Sequence, residues 1–268
     1  LKLWSLPDGE LLKTTAVPIT VDQFQTTLSI EDLPREVGLH RYTVAVDPMD
    51  GERIEANNQQ VSSVWVTKDR LRLLIVEQRP RWEFRYLKNL FAGRDQNVAL
   101  QHVLLSPDRL AGVPDPFPMP ASAARAFDDC EANQLPESEQ EWLKFDVIVL
   151  GDIDPSELDM ATQRTLQKFV GKRGGTLIVV AGQQAMPHRY LDGPLGELLP
   201  AQLAQGATKS TKSGYRFRLT EDGNRGVLMQ APFADSNQPG MWDTLPTLFW
   251  RSPVAMAKPG ATVLAWAE

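Results

Sequence analysis

Short apolar runs, each followed by a polar turn, recur along this chain from residue 71 onward. Residues Leu71–Glu77 read LRLLIVE, and the segments 146–150 (DVIVL) and 176–181 (TLIVVA) repeat the pattern. Unbroken runs of this kind are typical of strands that are buried on both faces, which occur in parallel sheets covered by helices. The pattern therefore predicts an α/β domain.

Helical spacing separates these predicted strands, and residues 98–105 add one more strand. Residues 81–91 place four apolar side chains at helical spacing, namely Trp82, Tyr86, Leu87 and Leu90. A further helix is expected to begin at Pro155 and Ser156 and to end within 171–175. Its sheet-facing residues are predicted to be Leu158, Leu166, Phe169 and Val170. Such alternation predicts a parallel sheet with helices on both faces.

Residues 1–67 follow a different pattern, of short alternating strands joined by turns. Asp8-Gly9 lies between two apolar runs, which is a hairpin signal, and Asp50-Gly51 marks another turn. Alternating strands are predicted at 17–21, 26–30, 39–46 and 61–66. This spacing indicates an immunoglobulin-like β-sandwich, truncated by one or two strands. We therefore predict a small all-β module over 1–67 and an α/β domain over 68–268.

Charge and hydropathy restrict the possible partners. The net charge is −6, whereas nucleic-acid binding requires a basic face, so nucleic acid is excluded as a partner. The apolar runs are far shorter than the ~20 residues of a membrane span, so we expect no membrane insertion by this segment. The chain opens at Leu1 directly into strand-like sequence, which indicates a piece of a longer protein.

Common catalytic and cofactor motifs are absent from the sequence. There is no phosphate-binding loop, no dinucleotide fingerprint and no G-x-S-x-G elbow. His40, His102 and His188 lack the spacing of metal ligands, and the lone Cys130 cannot form an internal disulfide. We therefore predict no metal and no cofactor, and we interpret Cys130 as a thiol without a catalytic role.

Residues that follow the predicted strands are the candidates for a ligand site, because ligands of open α/β sheets bind beyond the carboxyl ends of the strands. The candidate cleft residues are Glu77, Arg79, Arg81, Asp152, Asp154 and His188. The carboxylates would either act as an acid–base pair or a cation site, or cap helices and pair with arginine. We favour the second interpretation, and the first stays open.

The segment 106–121, SPDRLAGVPDPFPMPA, contains five prolines, which exclude regular structure. A loop of this length is either a mobile surface loop or a functional lid or partner-binding segment. Its alternating prolines, Pro114, Pro116, Pro118 and Pro120, bear a weak resemblance to a polyproline ligand.

An aromatic cluster lies near the end of the chain. It comprises Trp242, Leu245, Phe249 and Trp250. We interpret it as core packing, with a ligand platform as the alternative.

The α/β part resembles the class I glutamine amidotransferase-like domains, which have a flavodoxin-like sheet. It is most similar to the divergent members found in large bacterial membrane proteins, often of planctomycete type. The matching strings are LRLLIVEQRPRWEFRYLKNLF, FDVIVLGDIDP, LQKFVGKRGGTLIVVAG and LPTLFWRSPVAMAKPGATVLA. The string GLHRYTVAVDPMDGERIEANNQ resembles the β-sandwich module that precedes this fold.

The resemblance implies a nucleophilic cysteine on a sharp turn after the strand at 176–181, activated by a histidine and oriented by an acid. Alignment from Gly174-Gly175 instead places a degenerate elbow there, formed by Ala181, Gly182, Gln183 and Gln184. The last histidine of the chain is His188, so the triad is absent and we predict no glutaminase activity.

The leading functional hypothesis is a non-catalytic, extracytoplasmic segment of a membrane-anchored bacterial protein. It would act in assembly or ligand sensing, with another protein or another domain of the same longer chain as its partner. One alternative is a hydrolase or transferase that uses Glu77, Asp152 and Asp154. The other is a structural spacer.

Overall fold

The chain divides into two compact units, Leu1–Asp69 and Arg70–Glu268, close to the boundary predicted after residue 67. The structure is a computed structural model. It describes residues 2–6, 10–16, 30, 32, 34, 36–48, 51–52, 57–66, 70–92, 95, 97–108, 112–204, 214–229 and 241–268. Within these ranges, no helix has the length and apolar character that crossing a membrane requires.

The described residues of the first unit form one antiparallel sheet of four strands. The strands are β1 (Lys2–Leu6), β2 (Glu10–Thr14), β3 (Gly38–Ala45) and β4 (Gln59–Val66). Their order is β2-β1-β3-β4, and β1 and β2 pair on either side of the predicted turn at Asp8-Gly9. The strands predicted at 17–21 and 26–30 lie outside the described residues, apart from Ile30.

The second unit is built around a parallel sheet of five strands. They are β5 (Leu71–Glu77), β6 (Val98–Leu104), β7 (Glu131–Ala132), β8 (Val147–Leu150) and β9 (Thr176–Val179). The order is β7-β6-β5-β8-β9 with every pair parallel, so the predicted α/β architecture is confirmed. Strand β7 was not predicted, because two residues show no periodicity.

Both faces of this sheet are covered, which explains the unbroken apolar run of β5. Leu73 and Ile75 face a cluster that includes Phe84, whereas Leu74 and Val76 face a second cluster. Successive side chains of a strand point to opposite faces, so a strand buried on both sides needs apolar residues at every position.

Among the described residues of the second unit, five α-helices accompany the strands. They are α1 (Trp82–Phe91), α2 (Glu139–Trp142), α3 (Met160–Lys168), α4 (Pro194–Leu198) and α5 (Glu221–Arg225). The predicted start of α3 at Pro155 was wrong, because the Asp159 carboxylate caps the helix by accepting the Thr162 N–H at 2.8 Å. A π-helical turn, Phe169–Arg173, extends α3 to Gly174, whose φ of 76° ends it.

The predicted apolar face of α1 was also wrong in part. Of the four predicted residues only Leu87 packs against the sheet, beside Phe84 and Phe91, whereas Trp82, Tyr86 and Leu90 are 65%, 68% and 55% exposed. The two exposed rings stack on each other with centroids 6.0 Å apart. Counting apolar residues alone could not separate these two faces, since both carry aromatic side chains.

Two short antiparallel ribbons complete the second unit. The first pairs β10 (Ala201–Leu203) with β12 (Val254–Ala257), and the second pairs β11 (Phe217–Leu219) with β13 (Ala265–Ala267). The turn that precedes β12 carries Trp250.

Candidate functional site

A cleft of about 590 Å³ opens at the carboxyl edge of the parallel sheet, beside β5 and β8. The chain leaves β5 toward β6 on one side, and β8 lies on the other side of β5. Such reversals of strand order are where open α/β sheets bind their ligands.

Most of the predicted site residues meet in this cleft. Its lining includes Glu77, Arg79, Arg81, Asp152 and Asp154, together with Ala181, Gly182, Gln183 and Gln184. His188 is half-buried and is not among the lining residues, so the structure does not bring it to the carboxylates.

Glu77, the last residue of β5, is only 2% exposed, and internal donors satisfy both of its carboxylate oxygens. Oε1 accepts the backbone N–H groups of Asp152 at 2.8 Å and Gln78 at 3.1 Å. Oε2 accepts two hydrogen bonds from Arg81, from Nε at 3.0 Å and Nη2 at 2.7 Å. Charge-assisted bonds of this kind are among the strongest in proteins, so they hold Glu77 in place.

Arg81 connects two edges of the cleft. It precedes α1 and pairs with Glu77, and its Nη1 donates to the carbonyl oxygen of Ala181 at 3.2 Å. The guanidinium therefore joins the end of β5 to the turn after β9. Its planar array of donors makes this double contact possible.

Asp152, which follows β8, is 5% exposed and accepts three backbone hydrogen bonds from one turn. Its Oδ2 accepts the N–H of Gln184 at 2.8 Å, and its Oδ1 accepts those of Ala185 at 2.7 Å and Met186 at 2.8 Å. Consecutive N–H groups that converge in this way form an anion-binding nest. Here a carboxylate of the same chain occupies the nest.

Two glycines make room for these carboxylates. A Cβ on Gly151 would lie 2.1 Å from Oε2 of Glu77, and a Cβ on Gly182 would lie 2.1 Å from Cγ of Asp152. Neither carboxylate can move away without breaking its hydrogen bonds. The sequence analysis did not single out Gly151, although a glycine directly after a buried strand indicates a close approach of this kind.

Asp154 and Gln78 tie the neighbouring loops together. Asp154 forms an ion pair with Arg189, and its Oδ1 accepts the Ser156 N–H at 3.0 Å. The N–H and hydroxyl of Ser156, together with the Arg189 guanidinium, lower the pKa of the Asp154 carboxyl. Gln78 accepts the Asp154 N–H at 3.1 Å and donates to the Ser106 hydroxyl at 2.8 Å. Gln78 was not predicted, because an amide side chain carries no specific motif.

The degenerate elbow presents no nucleophile to the cleft. Ala181 is half-buried, and the side chains of Gln183 and Gln184 are exposed. The Gly182 N–H donates to the Met186 carbonyl at 2.7 Å, which closes the turn. Trp250 forms another part of the cleft lining, in agreement with the ligand platform that was the less favoured interpretation of the aromatic cluster.

Cys130 lies away from the cleft, next to His102 rather than His188. Its Sγ is 3.7 Å from Nε2 of His102. Burial, with a contribution from Lys88, lowers the pKa of His102 to about 4. A cysteine–histidine nucleophile requires an imidazolium beside the thiolate, and this environment disfavours that charged form. The environment of His102 therefore does not favour the ion pair on which such a nucleophile depends.

The arrangement of the described residues bears on metals as well. Across the described part of the chain, no three His, Cys, Asp or Glu side chains come together in a way that could hold a metal ion.

Fold and site together define an α/β domain with a polar cleft at the strand-order reversal. Comparisons of the chain with protein-family models, with curated proteins and with solved structures found no match.

Proposed function

We propose that this chain is a non-catalytic binding segment of a larger, membrane-anchored bacterial protein, and that its cleft recognises a ligand or partner in assembly or sensing. The observation that carries the proposal is that both carboxylate oxygens of Glu77 and of Asp152 accept internal hydrogen bonds. A general base must accept a proton from substrate or water. Either carboxylate would have to give up structural hydrogen bonds to do so.

The strand order supports a flavodoxin-like assignment of the second unit. Without β7, the order β6-β5-β8-β9 corresponds to 2-1-3-4, which begins the flavodoxin-like order. With β7 the order is 3-2-1-4-5, which is the Rossmann order 3-2-1-4-5-6 without its sixth strand. A parallel crossover normally runs through a helix, but the described residues between β6 and β7 contain none. We therefore treat β7 as an added edge strand.

The class I glutamine amidotransferase-like assignment rests on this order together with the elbow. Gly174 and Gly175 precede β9 and Ala181 follows it, and by the resemblance we infer that Ala181 stands where an active member carries its nucleophile. A cleft whose turn at 181–184 carries no Cys or Ser, and whose buried carboxylates Glu77 and Asp152 are hydrogen-bonded internally, supports a fold kept for binding. We assign the first unit to the immunoglobulin-like module by its antiparallel strands and their spacing.

The cleft offers polar and aromatic groups to a ligand. Among the described residues, Arg79 makes no side-chain hydrogen bond or ion pair, and it is exposed at the cleft wall. Gln183 and Gln184 add exposed amides, and Trp250 adds an aromatic face. A few convergent polar groups beside an aromatic surface are typical of ligand sites, and a mere spacer would not require them.

Protein-observed NMR with a library of small polar fragments tests this proposal. We expect bound fragments to shift the backbone amides of 182–185 and the indole N–H of Trp250. Arg79→Ala should weaken the binding of those fragments. Arg164→Ala, which replaces an exposed arginine on α3, should leave their binding unchanged. Fragments that bind only elsewhere would favour the spacer, and turnover of any fragment would contradict the non-catalytic assignment.

A further inference from the structure

The segment 113–120 is a strict alternation of other residues with proline. Its prolines are Pro114, Pro116, Pro118 and Pro120, and each residue between them precedes a proline. Proline fixes its own φ near about −65°, and the residue before a proline is pushed into the extended region. All eight backbone positions are therefore restricted even before folding. Such a segment loses little conformational entropy when a partner binds it.

The structure displays this segment rather than burying it. Residues 112–119, which we call the proline ridge, are all exposed and belong to no helix or strand. The ridge carries Val113, Met119 and Phe117, and the Phe117 ring is 89% exposed. Single exposed apolar residues are common on proteins, but three on one short, rigid segment form a local apolar surface.

Asn133 holds the carboxyl end of the ridge in place. Its Nδ2 donates to the Phe117 carbonyl at 2.7 Å, and its Oδ1 accepts the Met119 N–H at 2.7 Å. The Asn133 backbone N–H also donates to the Met119 carbonyl at 3.0 Å. These bonds anchor the backbone from the Phe117 carbonyl to Met119, directly on the carboxyl side of the Phe117 ring.

The ridge is separate from the cleft, since none of its residues lines it. It also cannot readily receive an added strand. Its prolines lack N–H groups, and Asn133 already binds the backbone of Phe117 and Met119. The ridge itself contains no Lys or Arg, and Arg125, which contacts the Met119 sulfur, is paired with Asp129, so the segment lacks the basic cluster that an anionic lipid surface attracts.

We propose that the proline ridge is a docking segment for a partner protein with an aromatic-lined groove of the kind that binds proline-rich extended segments. In these complexes the partner's aromatic side chains pack on the prolines, and the preformed extended backbone contributes to affinity. Phe117 enters an apolar pocket of the partner, and Asn133 is a positioning residue that presents it.

The test titrates the whole chain with three purified probes that represent such grooves, namely an SH3, a WW and an EVH1 domain. We expect one of them to bind with a Kd of about 100 μM or tighter. Phe117→Ala should weaken that binding at least ~10-fold. Leu228→Ala, which removes a side chain that is 85% exposed elsewhere on the unit, should leave it unchanged.

Three results would overturn the proposal. The first is that no probe binds the wild-type chain up to about 1 mM. The second is that Phe117→Ala binds as tightly as wild type. The third is that the chain binds anionic phospholipid vesicles through Phe117 instead. Because Phe117 is exposed, its truncation should preserve folding, which a thermal unfolding curve checks. Arg79→Ala should bind the probe normally, which separates this test from that of the cleft.

Discussion

Asp152 accepts the backbone N–H of Ala185 at 2.7 Å, and this bond ties the residue after β8 to the turn after β9. The same carboxylate holds the two neighbouring N–H groups of that turn, so one side chain fixes the floor of the cleft. The negative charge of the Asp152 carboxylate is therefore stabilised by hydrogen bonds within the fold.

Replacing Asp152 tests this role through stability. Asp152→Asn keeps one acceptor oxygen but turns an amide NH₂ toward backbone donors, leaving buried N–H groups unsatisfied. We expect the free energy of unfolding to fall by about 2 kcal/mol in urea denaturation. The exposed Asp192→Asn is the matched control and should change it by less than about 0.5 kcal/mol. Equal effects of the two substitutions would argue against the assigned role of Asp152.

Gly151 supplies a second test of the same packing. Gly151→Ala forces a Cβ against Oε2 of Glu77, so we expect a loss of about 2 kcal/mol in the free energy of unfolding. Gly171→Ala is the control, because a Cβ there meets no atom within 4 Å, and this variant should be neutral or slightly stabilised. A neutral Gly151→Ala would show that Glu77 is free to move.

The ion pair between Glu77 and Arg81 is suited to a double-mutant cycle. Arg81→Met leaves Glu77 buried without its cation and should cost about 3 kcal/mol of unfolding free energy. The double variant Arg81→Met/Glu77→Gln should lose less unfolding free energy than the two single variants together, by about 1 kcal/mol or more. The exposed pair Lys168–Glu139 serves as the reference cycle, with a coupling of about 0.5 kcal/mol or less. Similar couplings in both cycles would contradict a buried, structural pair.

The lowered pKa of His102 predicts that the stability of the fold depends on pH. Burial lowers its pKa to about 4 in the folded chain, whereas the unfolded value is about 6.5. Below pH 6.5 the unfolded chain therefore binds a proton that the folded chain does not, and stability falls as the pH falls toward 4. The loss from this residue at pH 5 should be about 2 kcal/mol, measured by urea denaturation, and His102→Gln should remove it.

The control for His102→Gln is Leu228→Ala, which removes a side chain that is 85% exposed and carries no titratable group, and it should keep the wild-type pH dependence of unfolding. An NMR titration supplies the direct check on the imidazole. If His102 titrated near pH 6.5 in the folded protein, the burial described for it would be incorrect.

The strands were predictable from sequence because β5, β8 and β9 are short apolar runs within a sheet covered on both faces. The helix boundaries were less so. The sequence predicted that α3 begins near Ser156. The helix begins after Asp159 instead, because the Asp159 carboxylate accepts a hydrogen bond from the N–H of Thr162 in the first turn. On α1, both helix faces carry aromatic residues, so apolar spacing alone could not identify Phe84 as the buried residue.

The location of the candidate site was predictable from the sequence, but the hydrogen bonds within it were not. Glu77 and Asp152 follow buried strands, which located them at the carboxyl edge. The partners of Asp152 are backbone N–H groups, which leave no trace in residue identity, and Trp250 reaches the cleft from far along the chain. The contact of His102 with Cys130 depends on β7, a strand too short to show a pattern.

We propose that Glu77 and Asp152, the two buried carboxylates of the cleft, stabilise the fold and take no part in catalysis. The most direct test measures hydrolytic turnover and unfolding free energy together, for the wild-type chain, Glu77→Gln and Asp152→Asn. Turnover is followed as ammonia released from L-glutamine and as cleavage of an activated ester. We predict no turnover by the wild-type chain and a clear loss of stability in both variants. Turnover by the wild type that disappears in variants of unchanged stability would contradict the claim.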